Sequence, residues 1–185
     1  MFSVPIIHYP IDNWEQNKKR ILDVLPLDCP EHCDPENDGL YTDFFLAEDE
    51  SITEMPEYSK TVIDIIKPYL FDFYKEGKIE FIDMWYQRYY KGVQHTIHNH
   101  GHSGWSSVIY VELDPDEHEG TNFISPFNDM WTGDTQFYTP DVREGDMVLF
   151  PSPILHEALP NKSDKRRTVI SYNLRGHVNK VKVTL

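Results

Sequence analysis

Ile79-Glu80-Phe81-Ile82-Asp83-Met84-Trp85-Tyr86-Gln87-Arg88-Tyr89-Tyr90 is the stretch where the chain turns from a helical to an extended pattern. Upstream of it, Val62, Ile63, Ile66, Tyr69, Leu70 and Phe73 recur every three or four residues, which predicts an amphipathic helix over Ser59–Tyr74. From Lys78 the period becomes two, and aromatic and β-branched residues crowd the segment. That composition and period predict a long strand over Ile79–Tyr90.

Downstream, the extended pattern continues through Thr96–His100, Ser106–Leu113, Thr121–Ile124, Gln136–Tyr138, Asp146–Phe150, Thr168–Leu174 and Val178–Val183. Turn signals separate these runs: Lys91-Gly92, Gly101, Asp114-Pro115, Glu119-Gly120, Glu144-Gly145 and Asn161-Lys162. About eight short strands at such spacing predict a sandwich or barrel of the jelly-roll kind. Toward the N-terminus, Val4–Tyr9 alternates loosely and suits an edge strand. Ile11–Leu25 carries Trp14, Ile21, Leu22 and Leu25 at near-helical spacing, with Asp12 or Asn13 to cap it and Pro26 to stop it. Pro68 predicts a kink or a split in the second helix, and Gly77 its end. Residues 26–56 are rich in Asp, Glu, Pro and Asn and read as an irregular acidic excursion. The 185 residues suit a single domain, with helical support and an acidic loop region in 1–78 and a β core in 79–185. The helices should cover one sheet from outside, and the aromatics from Tyr69 to Tyr90 should be core beneath them.

Acidic residues outnumber basic ones 31 to 17, for a formal charge of -14. A binder of duplex phosphates needs a basic face, and this composition argues against one. The apolar runs are only a few residues long, too short to span a bilayer. Met1-Phe2-Ser3-Val4-Pro5 has neither the basic nor the apolar region of a secretory leader. Cys29 and Cys33 read as reduced thiols in a proline-rich loop. These features predict a cytoplasmic protein with a small-molecule or peptide partner.

The densest chemical signal is Gln94-His95-Thr96-Ile97-His98-Asn99-His100-Gly101-His102. On a strand, residues i and i+2 share a face, so His98 and His100 aim two imidazoles at one point. His95 would face the other way. A second signal ends Gly145-Asp146-Met147-Val148-Leu149-Phe150-Pro151-Ser152-Pro153-Ile154-Leu155-His156, where two prolines stiffen the approach to His156. His156 lies among apolar residues, where a charged ring would be costly and a neutral, metal-bound one would not. His98, His100 and His156 form a facial three-ligand set with the opposite coordination positions open. His8, His32, His95, His102, His118 and His177 read as ordinary surface or hydrogen-bonded histidines.

Two resemblances follow from these residues. Gly92 followed by His98-Asn99-His100, and Gly145 followed by Pro151 and His156, are similar to the two cupin motifs. The departure is the glutamate that cupins carry after the first pair, because Gly104 and Trp105 stand there. A closer resemblance spans residues 79–174. His98-Asn99-His100, Ser106-Ser107-Val108-Ile109-Tyr110-Val111, Glu119-Gly120-Thr121-Asn122-Phe123, the Gly145–Ser152 segment with His156, and Arg167-Thr168-Val169-Ile170-Ser171-Tyr172-Asn173 follow in the order seen in 2-oxoglutarate/Fe(II) oxygenases of bacterial and phage genomes.

That resemblance implies a double-stranded β-helix that holds Fe(II) on His98, His100 and His156. The iron would be chelated by the keto-acid end of 2-oxoglutarate, with dioxygen as the second co-substrate. The C5 carboxylate would rest on Arg167, helped by Ser171 or Tyr110. Period two places Arg167, Val169, Ser171 and Asn173 on one face, and a planar guanidinium suits a carboxylate. Lys165 and Arg166 read as a solvated turn. The implied reaction releases succinate and carbon dioxide and hydroxylates a C–H bond. Many relatives use His-x-Asp for the first pair, so water or an acid such as Glu112 is the alternative to His100. The alternative function is a cupin-type metal enzyme, or a metal-binding jelly-roll protein that does not use 2-oxoglutarate. Phe127–Tyr138 is expected as a loop at the barrel mouth, with Trp131 and Phe137 as an apolar wall.

Overall fold

A computed structural model of the chain describes residues 3–27, 40–49, 51, 54–75 and 78–177. The strand expected over Val178–Val183, the thiols Cys29 and Cys33, His32 and Gly77 lie outside these residues.

Among the described residues, ten strands and three helices follow one another. β1 (Ile7–Pro10) and α1 (Trp14–Leu22) come first, then β2 (Leu40–Thr42), α2 (Phe44–Glu48) and α3 (Ser59–Phe73). The β-rich part contains β3 (Lys78–Tyr89), β4 (His95–His98), β5 (Trp105–Glu112), β6 (Asn122–Asn128), β7 (Thr135–Tyr138), β8 (Asp146–Pro151), β9 (His156–Ala158) and β10 (Arg167–His177). A six-stranded sheet runs β1-β8-β5-β10-β3-β2, and a four-stranded sheet runs β4-β9-β6-β7. The strand pairs in both are antiparallel. Two antiparallel sheets with few helices make the expected mainly β, double-stranded β-helix fold. No helix among the described residues is long and apolar enough to cross a membrane.

The large sheet is buried on both faces, which explains why its strands read as nearly continuous apolar runs. Ile109, Val111, Met147, Leu149, Ile170 and Tyr172 face the helices, where Ile21, Val62, Ile66 and Leu70 cover them. Val108, Tyr110, Val148, Phe150 and Val169 face the small sheet and meet Phe123. Each strand therefore serves two cores by alternation.

Several expectations need correction. α3 runs unbroken through Pro68. The proline ring is on the exposed face, while Ile65, Ile66 and Leu70 anchor the helix on the other side. The lost backbone bond therefore falls on the solvent side, and packing holds the helix on either side of it. Residues 26–56 are not wholly irregular, since β2 pairs with β3 through Leu40↔Tyr89, and α2 follows it. Asn13 starts α1 from a left-handed conformation (φ 52°) without a side-chain cap bond. Phe127–Tyr138 is largely a hairpin, with β6 extending through Asn128 and β7 returning from Thr135. At its tip Trp131 is 97% exposed, so it forms no wall.

Candidate metal centre and its ligand pocket

The histidines gather because the small sheet pairs His98 of β4 directly with His156 of β9. β9 has only three residues, and it seats His156 between β4 and β6, opposite Phe123 as well. His100 lies just beyond β4 rather than on it, because its amide donates to the Ser152 carbonyl at 2.9 Å. The two imidazoles of the His-x-His pair still converge, but the turn aims the second one. One nitrogen from each of His98, His100 and His156 lies within 4.8 Å of the others.

Hydrogen bonds fix which nitrogens are free. His98 Nδ1 donates to the Thr96 carbonyl at 2.7 Å, and His156 Nδ1 to the Ile154 carbonyl at 2.9 Å. A carbonyl partner requires the proton on Nδ1, so Nε2 of each ring keeps its lone pair. His156 Nε2 stands 3.2 Å from His100 Nε2. Two nitrogens bound to one cation at roughly 2.1 Å, about 90–100° apart, are separated by about 3.0–3.2 Å. Burial holds the His98 imidazole below its ordinary pKa. Burial and the neighbouring rings push His100 down to about 4 and His156 to about 3. These rings are neutral near pH 7, which is the form that binds metal. The donor set fits a divalent transition metal.

Glu112 does not approach this cluster. Its carboxylate accepts both the Nε–H and an Nη2–H of Arg166 at 2.8 Å, and it also accepts the Thr168 hydroxyl. These bonds hold it away from the histidine cluster. A glutamate of the cupin kind has no room at position 104 either, since a Cβ there would lie 2.6 Å from the Leu174 carbonyl oxygen.

The floor of the pocket is a grid made by the large sheet. β10 contributes Arg167, Val169 and Ser171, which stand opposite Tyr89, Gln87 and Trp85 of β3. β5 adds Val108 and Tyr110. Arg167 is 2% exposed. It donates to the Glu119 carbonyl at 2.9 Å and to the Leu159 carbonyl at 3.2 Å, and it lies over the Tyr89 ring at 4.3 Å. Among the described residues no carboxylate lies within ion-pair distance of it. Burial lowers its pKa, and the neighbouring Tyr89 and Tyr110 oppose that shift. A guanidinium stays charged even so. The charge is thus compensated by backbone carbonyls and an aromatic ring rather than by an ion pair among the described residues. Its neighbours Lys165 and Arg166 point elsewhere, to Asp114, Glu117 and Glu112.

Tyr110 lines the pocket, but its hydroxyl is committed. It donates to Thr121 Oγ1 at 2.9 Å and accepts the Thr121 amide at 3.0 Å. Thr121, which sequence reasoning missed, is therefore the hydroxyl on that wall with a proton to offer. Ser171 donates to Gln87 Oε1 at 3.3 Å, and Asn173 accepts from Ser106 at 2.6 Å. Gln87, Trp85 and Tyr89 were also missed. Their signal is present in the sequence, because they alternate with Met84, Tyr86 and Arg88 along β3.

His95 is the largest surprise. The pairing of β4 with β9 is irregular between His95 and His98, so the three-residue spacing does not send the rings to opposite faces. The His95 ring stacks on that of His98 at 4.0 Å and lines the same pocket. Burial and the neighbouring His98 push its pKa down to about 4. Among the other described histidine side chains, His8 pairs with Asp146, His102 is exposed and His118 is buried with both ring nitrogens hydrogen-bonded. Phe137 lines a separate apolar groove with Ile6 and Phe123 rather than the histidine pocket.

Comparison with known proteins bears on the family and the fold. Residues 83–173 match a family model described as "Putative 2OG-Fe(II) oxygenase". No curated protein matches the chain in sequence. Among solved structures, a 2OG-Fe(II) oxygenase family oxidoreductase from Burkholderia pseudomallei superposes with a TM-score of 0.63 at 15% identity, covering 94% of this chain and 85% of that one. HygX from Streptomyces hygroscopicus, solved with nickel and 2-oxoglutarate bound, gives 0.62 at 10% identity over 94% and 84%. A Pseudomonas putida prolyl-4-hydroxylase gives 0.56 at 13% identity over 95% and 94%. At such identities the likeness is one of fold.

Proposed function

The chain belongs to the 2-oxoglutarate/Fe(II) oxygenase family, and we propose that it hydroxylates a C–H bond of its prime substrate with release of succinate and carbon dioxide. The enzyme uses Fe(II), 2-oxoglutarate and dioxygen. In this reading His98, His100 and His156 hold the metal through their free nitrogens. Arg167 takes the C5 carboxylate of 2-oxoglutarate, helped by the hydroxyl of Thr121, while the Ser171 proton is spent on Gln87. Tyr110 acts through Thr121 rather than directly. Bound Fe(II) supplies the activation of dioxygen that couples decarboxylation of the keto acid to oxidation of the substrate. The chain itself supplies position and a dry setting. The Phe123 and Phe150 rings flank His156, with centroids 6.0 and 4.7 Å from its own, and screen that side of the centre from water.

One observation carries this reading. A buried guanidinium with no acidic partner among the described residues opens into the same cavity as three neutral imidazoles. A molecule with a chelating end and a distant carboxylate satisfies both. The formal charge of -14 favours a neutral or cationic prime substrate, either a small molecule or a peptide. We place the reaction in the cytoplasm, within residues 1–185 acting as one domain.

The test is an anaerobic Fe(II) titration with and without 2-oxoglutarate. A visible charge-transfer band that requires both, followed by succinate on admission of oxygen, supports the proposal. Metal uptake that is indifferent to 2-oxoglutarate would point instead to a metal enzyme of another kind.

A further inference from the structure

The pocket contains a fourth imidazole that the metal does not need. His95 is not one of the three converging rings. Gln87 Nε2 lies 3.0 Å from His95 Nδ1, and Ser171 Oγ donates to Gln87 Oε1 at 3.3 Å. The amide presents its oxygen to the Ser171 hydroxyl and its nitrogen to His95. An amide nitrogen only donates, so His95 Nδ1 must accept, and the neutral ring carries its proton on Nε2. That N–H has no partner among the described residues.

Its surroundings identify the partner. The His95 ring lies parallel to His98, 25° between planes and 4.0 Å between centroids, and His98 offers its Nε2 edge to the metal. Stacked on a metal ligand and lining the same pocket, the His95 ring borders the space that a molecule held at that metal would fill. Gln87 sits opposite Val169, midway between Arg167 and Ser171 on the pocket floor. The relay thus borders the path from the anion-binding guanidinium to the metal. We infer that His95 donates a hydrogen bond from Nε2 to the keto-acid end of bound 2-oxoglutarate, with the Ser171–Gln87 pair fixing its tautomer. This inference rests on the co-substrate assignment above. Arg167 and His95 then divide the molecule, one holding the distal carboxylate and the other the chelating end.

The test uses the full chain loaded anaerobically with Fe(II). It is titrated with 2-oxoglutarate and with pyruvate, which has the same keto-acid end and lacks the distal carboxylate. The charge-transfer band reads binding of each without turnover. His95→Phe keeps the stacked ring and removes the donor, and it should weaken both acids alike, by about tenfold for one hydrogen bond to a charged group. His95→Gln restores an N–H and should return both affinities to within about threefold of the parent. Arg167→Ala should weaken 2-oxoglutarate and leave pyruvate unchanged. The inference is overturned if His95→Phe leaves both affinities unchanged, or weakens 2-oxoglutarate alone. It is also overturned if His95→Phe no longer takes up Fe(II), which would make the residue a support of the metal centre. A parent protein that binds iron but neither keto acid would sink the co-substrate assignment itself, whatever His95 does.

Discussion

Arg167 shows at the scale of one residue how a site can be read as unfinished. Its five donors meet two backbone carbonyls and the face of Tyr89. Replacing it with methionine removes a desolvated charge that has no ion-paired carboxylate among the described residues, so the ligand-free protein should melt at the same temperature or higher. The same variant should lose at least about 30-fold in affinity for 2-oxoglutarate, in line with removal of one member of a buried charged pair. Iron affinity should be unchanged. Calorimetric melting and anaerobic titration together check this, and a large drop in melting temperature without ligand would show that the guanidinium is structural. His98, His100 and His156 were legible in the sequence because a His-x-His pair and a proline-stiffened approach to a third histidine are local features, although a turn rather than the strand aims His100. His95 was not, because its direction depends on an irregularity in strand pairing that no local pattern records.

Two predictions concern the elements. Gly145 precedes β8 at φ +91°, and a Cβ there would come within 2.6 Å of the Trp14 ring. Gly145→Ala should cost about 1–3 kcal/mol, because it combines a left-handed backbone with a clash against the start of α1. Urea unfolding would measure it, and a neutral result would mean that α1 is free to move off β8. Pro68 lies on the exposed face of α3. Pro68→Ala should restore a backbone bond and raise stability by about 1–2 kcal/mol, less than the full propensity difference because the helix already accommodates the ring. An unchanged unfolding midpoint would refute it. The long elements were legible from their periodicity, β3 and α3 above all. β2, α2 and β9 were not, because segments of three to five residues are too short to show a period and owe their form to their neighbours.

Over the whole molecule, metal, co-substrate and fold are linked. Fe(II) and 2-oxoglutarate bind only to the assembled site, so each should raise the melting temperature under anaerobic conditions. At a hundredfold excess over its dissociation constant, one ligand contributes about 2.7 kcal/mol. His156→Ala should abolish the increment from both, and an increment that survived it would place the metal elsewhere. The amino-acid sequence by itself determined the class of fold, the three converging histidines and the arginine. Each of these is written in local period and residue type. Only the tertiary structure decided which groups surround them. β3 backs the site with Trp85, Gln87 and Tyr89, Tyr110 is spent on Thr121, Glu112 is held by Arg166, and His95 turns inward onto His98. These partners are brought together by strand register between segments distant in the chain. A one-residue shift of that register would turn every side chain to the other face, and no stretch of sequence read alone contains it.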